Sequence, residues 1–399
     1  MPAPFTLNRN LRLFNAFAFV RDLTPILAIW VVYLTDYRHL TLAQVGLMEG
    51  MFWGVKLLAE IPSGTFADRY GRRAAMLTAV AFEALGLIIF GFASSFPLLA
   101  FSYVLWAIGL AFRSGSSEAY LYDALQTANR EAEYTRRLGL FSAINISSTI
   151  IGGIIGGVLA VITNLQIAVL ATALSYALAA PLLLLLQEPP HRRNEGPRRP
   201  YRATLRTGLL AVRDNPPVRG ILLLQIALSA SMPAYILLCQ PFMAAHHVPL
   251  ALFGVLSAPV PLLSALGGLS SDRITRRLGL HRVLALAIAG AVTGLAILAA
   301  INHVTAFAGF ALTALSLAIT MPAIGAYVNA RTDSQVRATV LSIAPFGESL
   351  VFVIVSMIAG VVGDISLRLA FAGLALTVLT LATAAYLLWR AATPTPIEG

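Results

Sequence analysis

Long hydrophobic runs alternate with short polar stretches along the whole chain. About 20 mostly apolar residues are needed for a helix to cross the roughly 30 Å of hydrocarbon in a bilayer. Because backbone polar groups in lipid must be satisfied within the segment, runs of this length predict helices rather than open strands. The sequence predicts twelve spans, at roughly 11–34, 42–62, 75–95, 97–121, 138–161, 166–187, 218–241, 250–271, 282–301, 304–328, 339–361 and 366–390.

The composition supports a membrane protein. Hydrophobic residues make up 58% of the 399 residues and charged residues only 12%, whereas a soluble domain has about 25% charged residues. The one cysteine, Cys239, excludes an internal disulfide and cannot form a zinc site alone. The first run is long and lacks a small-residue cleavage pattern, so we expect no cleaved signal peptide. We expect no bound metal ion.

The basic residues predict the orientation of the chain in the membrane. There are 28 Lys and Arg against 18 Asp and Glu. Most of the basic residues fall in the N-terminal segment, in the loops after even-numbered spans and at the C-terminal end, which is typical of the cytoplasmic side. We therefore expect both termini to be cytoplasmic. The basic excess is explained by orientation, and we expect no nucleic-acid partner.

A composition break at 188–216 divides the predicted spans into two groups of six. This stretch is rich in arginine and proline and predicts a cytoplasmic linker between a bundle at 1–187 and a bundle at 217–399. Within the linker, 203–213 is either a short amphipathic helix on the membrane surface or a solvated connection.

A polar motif separates the second and third predicted spans. Residues 60–73 read EIPSGTFADRYGRR, and the corresponding position of the second half reads GLSSDR. Both copies have the spacing Gly-x-x-x-Asp-Arg. The residues concerned are Gly64, Asp68 and Arg69 in the first copy and Gly268, Asp272 and Arg273 in the second. Two copies at equivalent hydropathy positions indicate an internal duplication, which is a feature of secondary transporters.

At this motif the sequence resembles the major facilitator superfamily of transporters. The family signature is Gly-x-x-x-Asp-Arg-x-Gly-Arg-Arg/Lys, and GTFADRYGRR at 64–73 matches it in full. The resemblance implies two pseudo-symmetric six-helix bundles in a bacterial cytoplasmic (inner) membrane. It also implies alternating access, a small-molecule substrate, no cofactor beyond a proton gradient, and a monomer. A span-five glycine motif of the family's antiporters includes a proline that this chain lacks.

The signature loop has two interpretations. Its glycines permit close helix approach and a tight turn, and its arginines can bind acids on neighbouring helices. The resemblance implies that the cluster holds the two halves together in the outward-open state; the alternative is that its arginines only set the orientation. The expected members are Glu60, Gly64, Asp68, Arg69, Gly71, Arg72, Arg73 and Asp123, with Gly268, Asp272 and Arg273 in the second copy.

Charged residues inside the spans are candidates for function, because each costs at least about 2.5 kcal/mol at membrane depth. Arg21 and Asp22 lie near the middle of span one, and Arg113 lies in span four. Given the resemblance, in which spans one and four line the cavity, Asp22 and Arg113 become a candidate proton-coupling pair. The alternative is a permanent ion pair that holds two helices together.

Span two carries three more charges. Glu49, Lys56 and Glu60 are spaced so that they could form a ladder on one helical face. We expect this ladder to be mainly structural, with Glu49 the better candidate for contact with substrate or protons. We expect Glu83 to neutralise Lys56 or another nearby cation.

Glu348 is the charged residue that stands out in the spans of the second half. A carboxyl group buried without a cation favours its protonated form. Glu348 is therefore either a second coupling carboxyl or a permanently protonated acid hydrogen-bonded to a neighbouring helix. Gln225 on span seven is a possible polar contact in the cavity.

These features favour a secondary transporter rather than an enzyme. An apolar cavity with isolated acids favours proton-coupled export of amphipathic or cationic compounds. An importer or uniporter of a small metabolite is the alternative within the class, and a membrane-embedded enzyme or receptor is the alternative outside it. The sequence has no Walker motif that would indicate ATP-driven pumping.

Overall fold

The computed structural model describes residues 5–190, 208–333 and 336–393, and all regular structure within these ranges is helical. This confirms the all-α prediction for the described part of the chain. In the first half the helices are α1 (Leu7–Asp22), α2 (Leu42–Tyr70), α3 (Arg72–Phe92), α4 (Phe96–Arg113), α5 (Ser116–Thr127), α6 (Tyr134–Ile162) and α7 (Leu165–Leu185).

The second half combines long and short helices, because the runs predicted as spans at 218–241 and 250–271 are interrupted after Ser229 and Ser257. It contains α8 (Pro216–Ser229), α9 (Met232–Ile236), α10 (Cys239–Ala245), α11 (Phe253–Ser257), α12 (Pro259–Leu278), α13 (Leu280–Ala300), α14 (Ala308–Ala330), α15 (Arg337–Ile365) and α16 (Leu367–Ala392). Of the predicted linker, 208–213 is helical, and 191–207 lies outside the described residues.

Among the described residues, ten helical segments are long and apolar enough to cross a membrane, or eleven if one bent pair is counted as a span. Three of these segments join neighbouring helices across short breaks: Phe96–Thr127 joins α4 and α5, Pro216–Ala245 joins α8 to α10, and Leu250–Leu278 joins α11 and α12. The chain is therefore a multi-span integral membrane protein. Helix α2 does not meet this criterion, since polar side chains such as Glu49, Lys56 and Glu60 reduce its apolar character. Twelve spans and cytoplasmic termini stay predictions.

The first predicted span is broken rather than continuous. Helix α1 ends at Asp22, and the chain continues through short helical segments at Pro25–Ala28, Trp30–Val32 and Tyr33–Tyr37. The part Trp30–Tyr37 is bent by 53° from Leu7–Ala28. Helix α6 packs directly on the backbone of this break at Gly156, which has no side chain. An added Cβ at this position would collide with the carbonyl oxygen of Pro25. The freed backbone is satisfied locally, as the Ile26 N–H donates to Thr172 Oγ1 at 2.9 Å.

The described chain forms two compact units. Unit 1 comprises Met1–Leu40, Met51–Asn194 and His247–Ala258, and unit 2 comprises Thr41–Gly50, Glu195–His246 and Pro259–Gly399. Each unit thus takes one short segment from the other half of the sequence. As a consequence, α2 is a single helix whose first residues pack in unit 2 and whose remainder packs in unit 1.

Aromatic side chains form part of the interior of each unit. In unit 1, the ring of Phe14 stacks on Tyr120 and Phe141 at centroid distances of 5.3 and 5.0 Å. In unit 2, Phe310 contacts Phe242 and Phe371 at 5.6 and 5.7 Å. These contacts fix the rotation of α1 and α6, and therefore the direction in which their polar residues point.

Candidate functional site

Four charged side chains form a cluster in unit 1, in which Arg21, Asp22 and Glu83 are buried and Arg113 is half-buried. Arg21 Nη1 lies 2.6 Å from Asp22 Oδ1, and Arg21 Nε lies 3.5 Å from Glu83 Oε2. The other oxygen of Glu83 accepts a hydrogen bond from Arg113 Nε at 3.3 Å. The two arginines and two carboxylates have no net charge when all are ionised, which lowers the cost of placing them in a membrane protein.

Close packing of α3 and α4 brings Arg113 to Glu83. An added Cβ on Gly109 would lie 2.6 Å from Glu83 Cγ and 2.8 Å from the Ala79 carbonyl oxygen. Gly109 and Arg113 are four residues apart on α4 and so share a face. The glycine lets the two backbones approach, and the arginine one turn later reaches the carboxylate.

The two carboxylates differ in access to solvent. The Glu83 side chain is fully buried, whereas 11% of the Asp22 side chain is accessible. With its amide oriented so that the nitrogen faces acceptors, Asn145 on α6 donates to Asp22 Oδ2 at 2.8 Å. Asp22 is therefore the more accessible acid of the cluster, and Glu83 is the fully buried acid between two arginines.

In the signature loop, Arg72 lies between two acids of unit 1. Its guanidinium is 3.1 Å from Asp68 Oδ1 and 3.6 Å from Asp123 Oδ2. The turn itself depends on Gly71, whose φ of +97° is unfavourable for residues with a Cβ. Arg72 thus ties α2 and α5 to the start of α3.

Glu188, which follows α7, binds the start of α3. Its two oxygens accept hydrogen bonds from the Arg72 and Arg73 backbone N–H groups at 2.6 and 2.8 Å, the usual arrangement of a carboxylate at a helix N-terminus. The Arg73 side chain donates to the Leu183 and Leu184 carbonyl oxygens, both at 2.7 Å. Arg73 therefore anchors α7, which the sequence did not indicate.

Three other expected members of the loop cluster, Glu60, Arg69 and Gly64, have contacts different from those of Arg72. Glu60 is bound to Lys56 Nζ at 2.7 Å, not to a loop arginine. The Arg69 guanidinium lies 5.3 Å from the centroid of the Tyr70 ring. An added Cβ on Gly64 would meet nothing within 4 Å, so a close helix approach does not explain this glycine.

The second copy of the motif is more exposed. Asp272 lies 2.5 Å from Arg276, and their side chains are 72% and 74% accessible. Arg273 is also exposed. The nearest atom to an added Cβ on Gly268 is 3.9 Å away, whereas the preceding Gly267 packs tightly on α14. The second copy therefore lacks the bridging arginine geometry seen at Arg72.

In unit 2, Glu348 has an amide partner. Gln225 Nε2 on α8 donates to Glu348 Oε1 on α15 at 2.8 Å, and both residues are half-buried. This contact joins the two polar residues that the sequence placed on spans seven and eleven. Glu49 is buried in the segment of α2 that packs in unit 2.

Most of the chain matches the model of one protein family. The family model of the Major Facilitator Superfamily matches residues 13–310. The chain belongs to this superfamily. Membership agrees with the helices that are long and apolar enough to cross a membrane among the described residues.

Three curated relatives match parts of the chain. The uncharacterised MFS-type transporter YxaM of Bacillus subtilis is 32% identical over 33% of this chain and 32% of its own length. Multidrug resistance protein 1 of the same species is 28% identical over 38% of each chain. The L-fucose-proton symporter of Haemophilus influenzae is 28% identical over 41% of this chain and 36% of its own length. The matches span about a third of these relatives.

Solved structures show the superfamily fold over nearly the full chain. The nucleoside transporter NupG, as a D323A mutant, superposes with a TM-score of 0.79 at 13% identity, covering 98% of this chain and all of that one. A bacterial homologue of the human lysosomal transporter Spinster gives 0.75 at 17% identity, covering 99% and 100%. These similarities concern the fold alone.

The structure changes the pairing expected in the superfamily cavity. We expected Asp22 to pair with Arg113, but in the described structure Arg113 pairs with Glu83 and Asp22 pairs with its neighbour Arg21. The adjacent residues can meet because α1 ends at Asp22. Asn145 was missed since a single polar residue in a span gives no directional signal. No group of three metal-binding side chains occurs among the described residues.

Proposed function

We propose that the chain is a proton-coupled exporter of amphipathic or cationic small molecules that works by alternating access. The observation that carries this proposal is the partly accessible Asp22 in a buried, electrically balanced cluster of unit 1. In the proposed mechanism the Asp22 side chain takes up and releases a proton, while the neighbouring charged side chains hold it in position.

Protonation of Asp22 would change the charge balance around Arg21. With Asp22 neutral, two arginines share the single negative charge of Glu83, and Arg21 is free to turn fully towards it. The contact between Arg21 Nε and Glu83 Oε2 is long, at 3.5 Å, so it can shorten when the Asp22 contact is lost. Such a local shift can bias a two-state equilibrium of the transporter.

Glu348 supports a cationic substrate. Its described partner is the neutral amide of Gln225, which orients the carboxyl group without supplying a positive charge. A cationic group of the substrate that binds beside Glu348 would favour its ionised form and could replace a proton there. The similarity of one segment to Multidrug resistance protein 1 of Bacillus subtilis agrees with this substrate class.

A proton-coupled importer of a small metabolite is the second candidate. It is favoured by the partial similarity to the L-fucose-proton symporter of Haemophilus influenzae. The two candidates differ in the direction of coupling: in an exporter protons and substrate move in opposite directions, and in a symporter they move together.

Reconstitution into proteoliposomes with an imposed pH gradient tests both candidates. We expect a panel of lipophilic cations to move against the proton flow, and Asp22→Asn to abolish the dependence on the gradient. The matched control is Asp36→Asn, which alters an exposed carboxylate bonded to Thr35. Unchanged gradient dependence in Asp22→Asn would remove the coupling role, and movement of sugars with protons would favour the importer.

For the signature loop, we propose that Arg72, with Asp68 and Asp123, stabilises one state of the transport cycle. The contacts lie at 3.1 and 3.6 Å and are partly accessible, so the cluster is breakable. We further propose that the protein works without a cofactor, as a monomer with twelve spans and cytoplasmic termini in the bacterial inner membrane. Labelling of single cysteines from each side of the membrane tests the orientation.

A further inference from the structure

Within unit 2, the start of α2 packs backbone to backbone on the last turns of α15. An added Cβ on Gly46 would collide with the Ser356 carbonyl oxygen, and one on Gly360 would collide with the Leu42 carbonyl oxygen. Small residues allow membrane helices to approach this closely. The contact joins residues more than 300 positions apart in the sequence.

A carboxylate lies at the end of this contact. Asp364 Oδ1 accepts a hydrogen bond from the Leu42 N–H at 2.7 Å, and Asp364 Oδ2 accepts one from the Ala43 N–H at 2.9 Å. The N–H groups at a helix start carry partial positive charge, so a bidentate carboxylate is favourable there. The Asp364 residue as a whole is exposed.

Helix α2 also has a cap of its own. The Gln44 N–H donates to Thr41 Oγ1 at 3.2 Å, and the Thr41 N–H donates to Gln44 Oε1 at 3.0 Å. This reciprocal pair is a capping box. It leaves the Leu42 and Ala43 N–H groups for Asp364, and water can replace this carboxylate once the start of α2 separates from α15. The helix therefore does not need Asp364 in order to form.

We propose that Asp364 is a positioning residue of the transport reaction, holding the start of α2 on α15 in one state of the cycle and releasing it in the other. The inference rests on the alternating access proposed above. Helix α2 continues from its unit 2 segment into unit 1. Relative movement of the two units must therefore either bend α2 or separate its first residues from α15. The capping box and the water-accessible carboxylate make separation possible without loss of the helix.

Distances between spin labels can test this proposal in the full-length protein in liposomes. Labels at Leu47→Cys and Ile365→Cys, both exposed, report the separation of the two helices in a Cys239→Ala background. We expect a short-distance and a long-distance population. Asp364→Asn should raise the long-to-short ratio about tenfold, the size expected on losing a charged acceptor from two N–H groups. Asp364→Glu, which keeps the charge, should stay near the parent ratio.

A control variant and two contrary results separate the role of Asp364 from alternating access itself. Asp36→Asn changes an exposed acid whose described hydrogen bond is to Thr35 and should leave the ratio unchanged. If Asp364→Asn lowers the unfolding temperature but leaves the ratio unchanged, Asp364 is a structural cap and the proposal is wrong, while alternating access stands. A single population in every variant, unaltered by a pH gradient, would overturn alternating access and this proposal together.

Discussion

Replacing Glu83 tests whether the buried charge cluster holds unit 1 together. Glu83 is fully buried and contacts Arg113 at 3.3 Å and Arg21 at 3.5 Å. After Glu83→Met, Arg21 retains Asp22 at 2.6 Å, but Arg113 loses the acid with which it pairs. The main consequence of the change is therefore an uncompensated charge on Arg113.

The expected loss follows from the geometry. Two unit charges 3.3 Å apart attract by about 5 kcal/mol at an effective dielectric constant near 20. Desolvation of the ions offsets much of this attraction, but removing only Glu83 leaves the half-buried charge of Arg113 without its partner. We expect Glu83→Met to lower the free energy of unfolding by about 3–5 kcal/mol. The double variant with Arg113→Met should lose at least about 2 kcal/mol less than the sum of the two single losses.

A double-mutant cycle measured by equilibrium unfolding in mixed micelles provides the assay. The four proteins are the parent, the two single variants and the double variant, with Arg368→Gln, an exposed arginine, as control. The control should change stability by less than about 0.5 kcal/mol. Losses that add to within about 0.5 kcal/mol would show that the two side chains are not coupled and would refute this interpretation of the cluster.

Three further changes have expected outcomes. Gly156→Leu should prevent stable insertion, because its side chain would enter the Pro25 backbone; folded yield in detergent measures this, and normal yield would contradict it. Gly71→Val should lower the unfolding temperature, since φ there is +97° and the Cβ would meet Glu188. Asp123→Asn should reduce turnover severalfold with substrate affinity retained, measured in proteoliposomes; normal turnover would show that its contact with the signature arginine is not used.

Hydropathy predicted the position of most long helices to within a few residues. The run at 75–95 corresponds to Arg72–Phe92, and the run at 366–390 to Leu367–Ala392. It failed at span one, where the run at 11–34 is apolar throughout its second part but the helix ends at Asp22. The break depends on space left by glycines of α6, which are distant in sequence.

The candidate site was predictable in its members but not in its pairing. Asp22 and Arg113 were recognised because charges are costly within spans. Their partners depend on the rotation of each helix about its axis, which is set by contacts such as the ring of Phe14 on Tyr120. Hydropathy gives no measure of that rotation, so the bridging position of Glu83 between two arginines was not expected.

The carboxylate of Glu188 has a consequence for the segment that follows it. The end of α7 is fixed to the start of α3 by two carboxylate contacts and by the Arg73 side chain on two carbonyl oxygens. Tension on the chain beyond Pro189 must therefore break this anchor before it can disturb Gly71 and the turn. The anchor therefore isolates the turn at Gly71 mechanically from the chain that follows Pro189.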